Sequence, residues 1–399
     1  MISKFLGYQI KKQRLEKNMS QESLCKGICA VSYLSKIENG TVNANNEIIE
    51  QLFKSLDITY VFDENFTINI RELFKEYFDA YFWNEDIESL AEKIELLAPQ
   101  IKHSKYAILY ELYMISRIQS SSENGVNLSI ATEKLSFLSD FIDYMTKEEK
   151  FLYYLFYANE SEDKKLCFEY LHKADDLMPC SYTMLSLANL ASYHGNYVES
   201  LRFVSIGMQR AFNEGYLPAL KELSIIECNC YANLNETKLM HLTFERALNF
   251  NRDNKIICST LEYNIGATYI SLANYEKAIY HLLKAYASNP TFLCCQKLCL
   301  AYIKIDDKLN SQKFLDNAKT LLLNEDSKDL SLFTEMLNLL EIMLKENYLD
   351  DEKYSEALEN LYSNINKTKP HGYGNFYIPL LKELYKHTRQ YKKAFELCK

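Results

Sequence analysis

Five asparagines offer the most specific chemistry in this 399-residue chain. Asn159, Asn189, Asn229, Asn233 and Asn264 all fall inside segments of helical periodicity. Asparagine is a mediocre helix former because its side chain competes for backbone hydrogen bonds, so its place within helices asks for a reason. A carboxamide carries one acceptor and two donors, the complement of an extended peptide backbone, and it reads that backbone without regard to side-chain sequence. Local bonding or plain solvation is the competing account, and the residues alone leave both open. A second set lies near the N-terminus. Ser32, Tyr33, Ser35 and Lys36 form the polar outer face of a short helix whose apolar positions are Val31, Leu34 and Ile37, a format suited to the base edges of a major groove.

Other chemistry is poorly represented. The 11 cysteines are scattered, and the close groups Cys228/Cys230 and Cys294/Cys295/Cys299 lack the second Cys or His pair of a zinc site. They read as reduced, cytosolic thiols that pack as small apolar residues. The 7 histidines show no HExxH spacing, no P-loop is present, and the lone Gly372-x-Gly374 follows no strand. No metal, no cofactor and no enzymatic activity are expected.

The elements that position these groups must be helices. Only 10 glycines and 6 prolines occur in the whole chain, about a third of ordinary usage, which leaves few turn-makers for a β protein. The expected fold class is all-α. No apolar run approaches the ~18 residues of a membrane span, and the charged N-terminus lacks a signal-peptide core, so a cytoplasmic protein is expected. The net charge of −9 is unevenly divided: residues 1–60 hold eight Lys/Arg against six acids, so the acidic excess lies entirely downstream. A surface that attracts phosphate belongs at the N-terminal end.

There, Phe5, Leu6, Ile10 and Leu15 predict a helix ending near Asn18. Ser20 is placed to cap a second helix with Leu24 and Ile28 on its buried stripe. A third starts near Ala30 and closes at Asn39-Gly40, and a fourth, capped by Asn45, runs from Asn46 to Leu56. Two short helices joined by a tight turn make a helix-turn-helix. Ser20-Gln21-Glu22 and the run Tyr33 to Gly40 closely resemble the Cro/repressor-type (XRE) family, with its lambda-repressor-like fold, although Gly27-Ile28-Cys29 is one residue shorter than the family's general turn. The resemblance implies base contacts from Val31, Ser32 and Lys36, with Ala30, Tyr33 and Ser35 completing the DNA-facing set. It also implies that Gln21 and Asn39 position the DNA backbone.

Residues 1–62 are thus read as the DNA-binding domain and 63–69 as a linker. From residue 70 to 399 the sequence repeats imperfectly. Gly266, Tyr269, Tyr275, Ala278, Leu282, Ala285 and Pro290 sit at tetratricopeptide (TPR) spacing. The frame recurs at Leu187/Ala188/Tyr197/Gly207, Cys228/Tyr231/Phe244/Ala247 and Leu298/Tyr302/Leu315/Ala318, then in two later hairpins. Eight or nine hairpins are expected, with a loop at 120–127, stacked as a right-handed superhelical solenoid whose first helices line a groove. Most of the 31 tyrosines fall at packing positions and read as core.

The combination resembles the RRNPP family of peptide-pheromone receptors across essentially the whole chain, on the Ile28-Cys29 turn, the Tyr263-Asn264-Ile265-Gly266 repeat start and Asn229. That resemblance implies a quorum-sensing-type transcription regulator, a homodimer on double-stranded DNA with two half-sites. A short signalling peptide would be held by the groove asparagines. An adaptor that captures a protein such as a response regulator, and a phage lysogeny regulator of the same plan, are the alternatives.

Overall fold

Several helices of this chain close on a residue in the left-handed conformation. Gly195, Asn235, Ala273, Asp306 and Arg389 all have positive φ, and at each the following N–H reaches back across the turn. Asn196 N donates to Ala191 O, Glu236 N to Tyr231 O, Asn274 N to Tyr269 O, Asp307 N to Tyr302 O and Gln390 N to Tyr385 O, at 2.7–3.0 Å. This closing motif satisfies carbonyls that a helix end otherwise leaves bare. Its recurrence marks the repeat more sharply than the side chains do, because backbone geometry is retained where the consensus residues drift.

The computed structural model describes residues 4–60, 64–83, 85–120, 126–323 and 329–397, and the chain divides into two compact units, Met1–Thr183 and Met184–Lys399. The first begins with α1 (Lys4–Glu16), α2 (Gln21–Cys25), α3 (Val31–Glu38) and α4 (Asn46–Ser55). Their shared core includes Leu6, Ile10, Leu24, Leu34, Ile37, Ile49, Leu52, Phe53 and Leu56. Ser20 and Asn45 cap α2 and α4 as expected, accepting from Ser23 N and Ile48 N. One expectation fails: Leu15 is exposed, and Arg14 takes the buried position beside it.

The hairpins of the first unit follow as α5 (Glu64–Phe82), α6 (Glu88–Ile101), α7 (Ala107–Ser120), α8 (Val126–Ser139), α9 (Lys147–Glu160) and α10 (Lys164–Leu177). The linker read at 63–69 is corrected: α5 already runs from Glu64, with Ile70, Phe74 and Tyr77 buried. Aromatic residues on both sides of the helix disguise its period in the sequence. Of the loop expected at 120–127, Ser120 ends α7, residues 126 and 127 open α8, and the part between lies outside the described residues. The helix-turn-helix packs directly on these hairpins. Phe5 and Tyr8 of α1 pack on the rings of Phe137 and Phe141, with centroids 5.1–6.1 Å apart, and Gln9 Nε2 donates to Lys102 O at 2.8 Å.

Helix α11 (Ser181–Tyr193) leads into the second unit, which continues with α12 (Tyr197–Glu214), α13 (Leu217–Asn233), α14 (Thr237–Phe250), α15 (Lys255–Ser271), α16 (Tyr275–Ser288), α17 (Phe292–Lys304), α18 (Lys308–Leu322), α19 (Leu330–Met343), α20 (Glu352–Thr368), α21 (Ile378–His387) and α22 (Tyr391–Glu396). Small residues allow the helices of a pair to approach. A Cβ on Gly266 would stand 2.5 Å from Leu282 Cγ and 3.2 Å from the Ala278 carbonyl, so a larger side chain there would force the α15/α16 pair apart. Tyr77, Tyr113, Tyr153, Tyr354 and Tyr377 are among the largest fully buried side chains, in keeping with tyrosine as core. No helix among the described residues is long and apolar enough to cross a membrane.

Candidate DNA-reading and peptide-binding surfaces

The turn between α2 and α3 rests on Gly27, at φ +77°, a conformation that favours glycine. Ala30 is extended at the start of α3, which fixes where the recognition helix begins. Ala30, Val31, Ser32, Lys36 and Asn39 are exposed and Tyr33 and Ser35 half-buried, while Leu34 and Ile37 point into the core. Val31, placed on the apolar face by its spacing, is 42% exposed and therefore stands with the outward set.

What holds α3 in place is a buried ion pair that periodicity did not reveal. Arg14 Nε donates to Glu38 Oε1 at 2.7 Å and a terminal nitrogen to Oε2 at 3.0 Å, while the other nitrogen reaches Met19 O at 2.8 Å. Gln21, half-buried at the start of α2, donates to the same Glu38 carboxylate at 2.8 Å. A bidentate guanidinium–carboxylate pair, with a further bond from the guanidinium to Met19 O and one to the carboxylate from Gln21, is the geometry in which a buried charge is tolerated. Gly7 completes the clamp, since a Cβ there would stand 2.0 Å from the Ile37 carbonyl oxygen. Arg14 and Glu38 lie 24 residues apart, and nothing local in the sequence marks them as a contact.

In the second unit three of the five asparagines converge. Asn264 Nδ2 donates to Asn229 Oδ1 at 3.1 Å, joining α15 to α13, and Asn233 Nδ2 donates to the Asn229 carbonyl at 2.9 Å. All three are half-buried; Asn189 stands exposed on α11, and Asn159, exposed on α9, belongs to the first unit. Local bonding and a shared inner face thus coexist at this cluster.

Residues that sequence reasoning set aside complete this face. The segment 370–377 between α20 and α21 lies across it. His371 N donates to Tyr193 O at 3.0 Å, the Tyr197 hydroxyl donates to the His371 carbonyl at 3.0 Å, and Asn375 Nδ2 donates to Asn233 Oδ1 at 3.3 Å. Further along, Gln296 Nε2 donates to the Tyr377 hydroxyl at 3.2 Å. The neighbouring Lys297 is only 2% exposed, and its ammonium lies 3.8 Å from the centre of the Phe376 ring and 4.9 Å from that of Tyr263. Burial lowers its pKa to about 7. Neither Lys297 Nζ nor Gln296 Oε1 has a hydrogen-bond partner. The only signal in the sequence was the Gly372-x-Gly374 pair, which looked like a phosphate loop without its strand.

The cysteines behave as packing residues. Cys228, Cys294, Cys295 and Cys299 are buried, and burial pushes the thiols of Cys294 and Cys295 up to about 12 and about 11, away from reactive thiolate. No group of three potential metal ligands occurs among the described residues.

Residues 10–62 match a family described as Helix-turn-helix. No curated protein matches the chain. Among solved structures, the apo form of the quorum sensor NprR from B. thuringiensis aligns with a TM-score of 0.61 at 15% identity, covering 83% of this chain and 99% of that one. A Rap protein complexed with competence and sporulation factor aligns at 0.60 and 13% identity, over 82% and 95% of the two chains. NprR in complex with its cognate peptide NprX aligns at 0.56 and 15% identity, over 82% and 99%. The chain therefore carries a helix-turn-helix at residues 10–62 and shares its helical-repeat fold with the quorum sensor NprR and with Rap.

Proposed function

We propose that the chain is a quorum-sensing-type transcription regulator of the RRNPP kind, whose repeat domain binds a short signalling peptide and thereby alters DNA binding or transcription activation. The observation that carries this reading is the pairing, in one chain, of an outward-facing polar set on a clamped recognition helix with the Asn229–Asn264 carboxamide pair on the inner face of the repeats. NprR, of the same repeat fold, is a quorum sensor with a cognate peptide, which supports the same assignment here. Val31, Ser32 and Lys36 address bases, with Ala30, Tyr33 and Ser35 beside them and Asn39 on the DNA backbone. Gln21 acts mainly by holding Glu38. Asn229 and Asn264 address the peptide backbone, with Asn233 and Asn189 as further contacts in the same unit.

A cytoplasmic homodimer would set two recognition helices about one DNA turn, ~34 Å, apart. A peptide that prefers one curvature of the repeats shifts the population toward or away from that spacing. The test is fluorescence anisotropy on DNA from the upstream region, with and without synthetic peptides from the C-termini of neighbouring small reading frames. Salt-sensitive binding that one peptide alters is expected. Asn229→Ala combined with Asn264→Ala should weaken that peptide about tenfold or more while leaving DNA affinity alone; unchanged peptide affinity would remove these residues from the site. A stoichiometric protein partner recovered without promoter DNA would favour an adaptor instead.

A further inference from the structure

The inner face of the second unit is already occupied. Segment 371–377 makes contacts typical of a bound peptide, with its main chain engaged at one end and its side chains at the other. At the first end His371 is held through both its N–H and its carbonyl, by Tyr193 and Tyr197. Gly372, at φ +80°, fits so closely that a Cβ would stand 2.1 Å from Asn233 Oδ1 and 2.7 Å from the Tyr197 hydroxyl. At the other end Asn375 bonds Asn233, Phe376 covers Lys297, and Tyr377 accepts from Gln296.

We propose that segment 371–377 is a built-in occupant of the peptide-binding site, and that the external ligand is a short peptide which replaces it. The segment defines the ligand's chemistry: a glycine or other small residue at the Tyr197/Asn233 position, then, three residues on, an amide side chain followed by an aromatic residue over Lys297. This rests on the peptide-sensing function proposed above and names the ligand class for that site. Two features make the occupant replaceable. Lys297 Nζ and Gln296 Oε1 are buried without hydrogen-bond partners, so the segment satisfies the site incompletely, and a ligand supplying a carboxylate or hydroxyl there gains what Phe376 does not give. The segment also joins α20 to α21, and only its last three residues, Asn375–Tyr377, are helical, as a single 3-10 turn, so its departure undoes one short turn rather than an α-helix.

The experiment uses the full chain and a fluorescent synthetic heptapeptide, HGYGNFY, with a scrambled heptapeptide as control. Gly372→Val puts a β-branched residue at positive φ against Asn233 and Tyr197, and so expels the segment. Asn375→Ala with Phe376→Ala removes its anchoring side chains without altering that backbone position, and serves if the valine variant does not fold. The heptapeptide should bind either opened variant at least tenfold more tightly than it binds the unaltered chain. Adding Asn233→Ala with Lys297→Met should remove the gain, and the scrambled peptide should show none. Equal binding to the opened and unaltered chains, or a gain that survives Asn233→Ala with Lys297→Met, overturns the proposal. The two readings separate cleanly. A neighbouring-gene peptide that alters DNA binding without competing with HGYGNFY for the opened chain leaves the regulator intact and overturns the built-in occupant. Competition-sensitive heptapeptide binding with no effect on DNA supports the occupant and removes the regulatory reading.

Discussion

The outer face of α3 and the inner face of the second unit use the same materials, small polar residues on helices, to opposite effect. On α3 the polar residues point outward and exposed, and the helix beneath them is fastened by the Arg14–Glu38–Gln21 network. On the inner face the carboxamides bond one another and the chain's own segment 371–377, while the charge beneath, Lys297, has no hydrogen-bond partner. A surface meant to meet one rigid target is best served by a rigid backing and bare side chains. A surface meant to change state is best served by an occupant held less than perfectly.

The largest effect that would break the comparison is on the rigid side. Arg14→Met leaves the Glu38 carboxylate buried and unpaired, a loss of about 3–5 kcal/mol. The first thermal or urea transition should therefore fall sharply and DNA binding disappear, while the near-ultraviolet signal of the second unit's tyrosines survives. A variant that keeps both full stability and DNA affinity would show that the clamp does not hold α3.

Next comes Lys297. Its folded pKa of about 7 lies below its ordinary 10.5, so between those values the unfolded chain binds more protons than the folded one, and stability rises with pH. The penalty for burying the amine is full below pH 7 and fades as pH climbs. The wild-type second unit should thus gain up to a few kcal/mol between pH 7 and 9.5, as followed by urea denaturation. Above about pH 10 the tyrosines that desolvation holds neutral, among them the buried Tyr377 and the partly buried Tyr263, reverse the trend. Lys297→Met should be flat across the lower window and more stable at pH 7. A wild-type slope equal to that of the variant would mean that the amine is not buried.

The smallest effect sharpens the comparison on the DNA side. Lys36→Ala, on the exposed face, should cost about 1 kcal/mol of DNA affinity and reduce the salt slope by about 1, with no change in melting temperature. A drop in stability instead would mean that Lys36 belongs to the backing rather than to the reading face.

Much of this was legible in the sequence where the cause is local. Ser20 and Asn45 cap their helices because a side-chain oxygen can reach an N–H two or three residues on, and Gly266 and Ala278 declare a close helix pair because small residues serve little else at that spacing. What escaped depends on distant partners. Arg14 displaced Leu15 from the buried face because Glu38, 24 residues away, accepts its hydrogen bonds. Asn233 was found as a candidate, but its partner Asn375 lies 142 residues downstream, and no periodicity connects them. The stretch read as a linker failed for a third reason: aromatic residues satisfy both faces of α5, so the amphipathic signal that marks a helix start is lost.

Helix α1 has a consequence for how such a protein searches DNA. One side of it belongs to the helix-turn-helix core through Leu6 and Ile10, and the other packs Phe5 and Tyr8 edge-on and tilted against Phe137 and Phe141. A reading head on a flexible tether samples a volume and tolerates half-sites at many separations, because the chain between the heads makes up the difference. A head bolted to its scaffold has no such slack. In a dimer, the permitted distance and rotation between half-sites would be dictated by the scaffold, and inserting half a helical turn of DNA between them would place one half-site on the wrong side of the duplex, where no stretching of the protein can recover it.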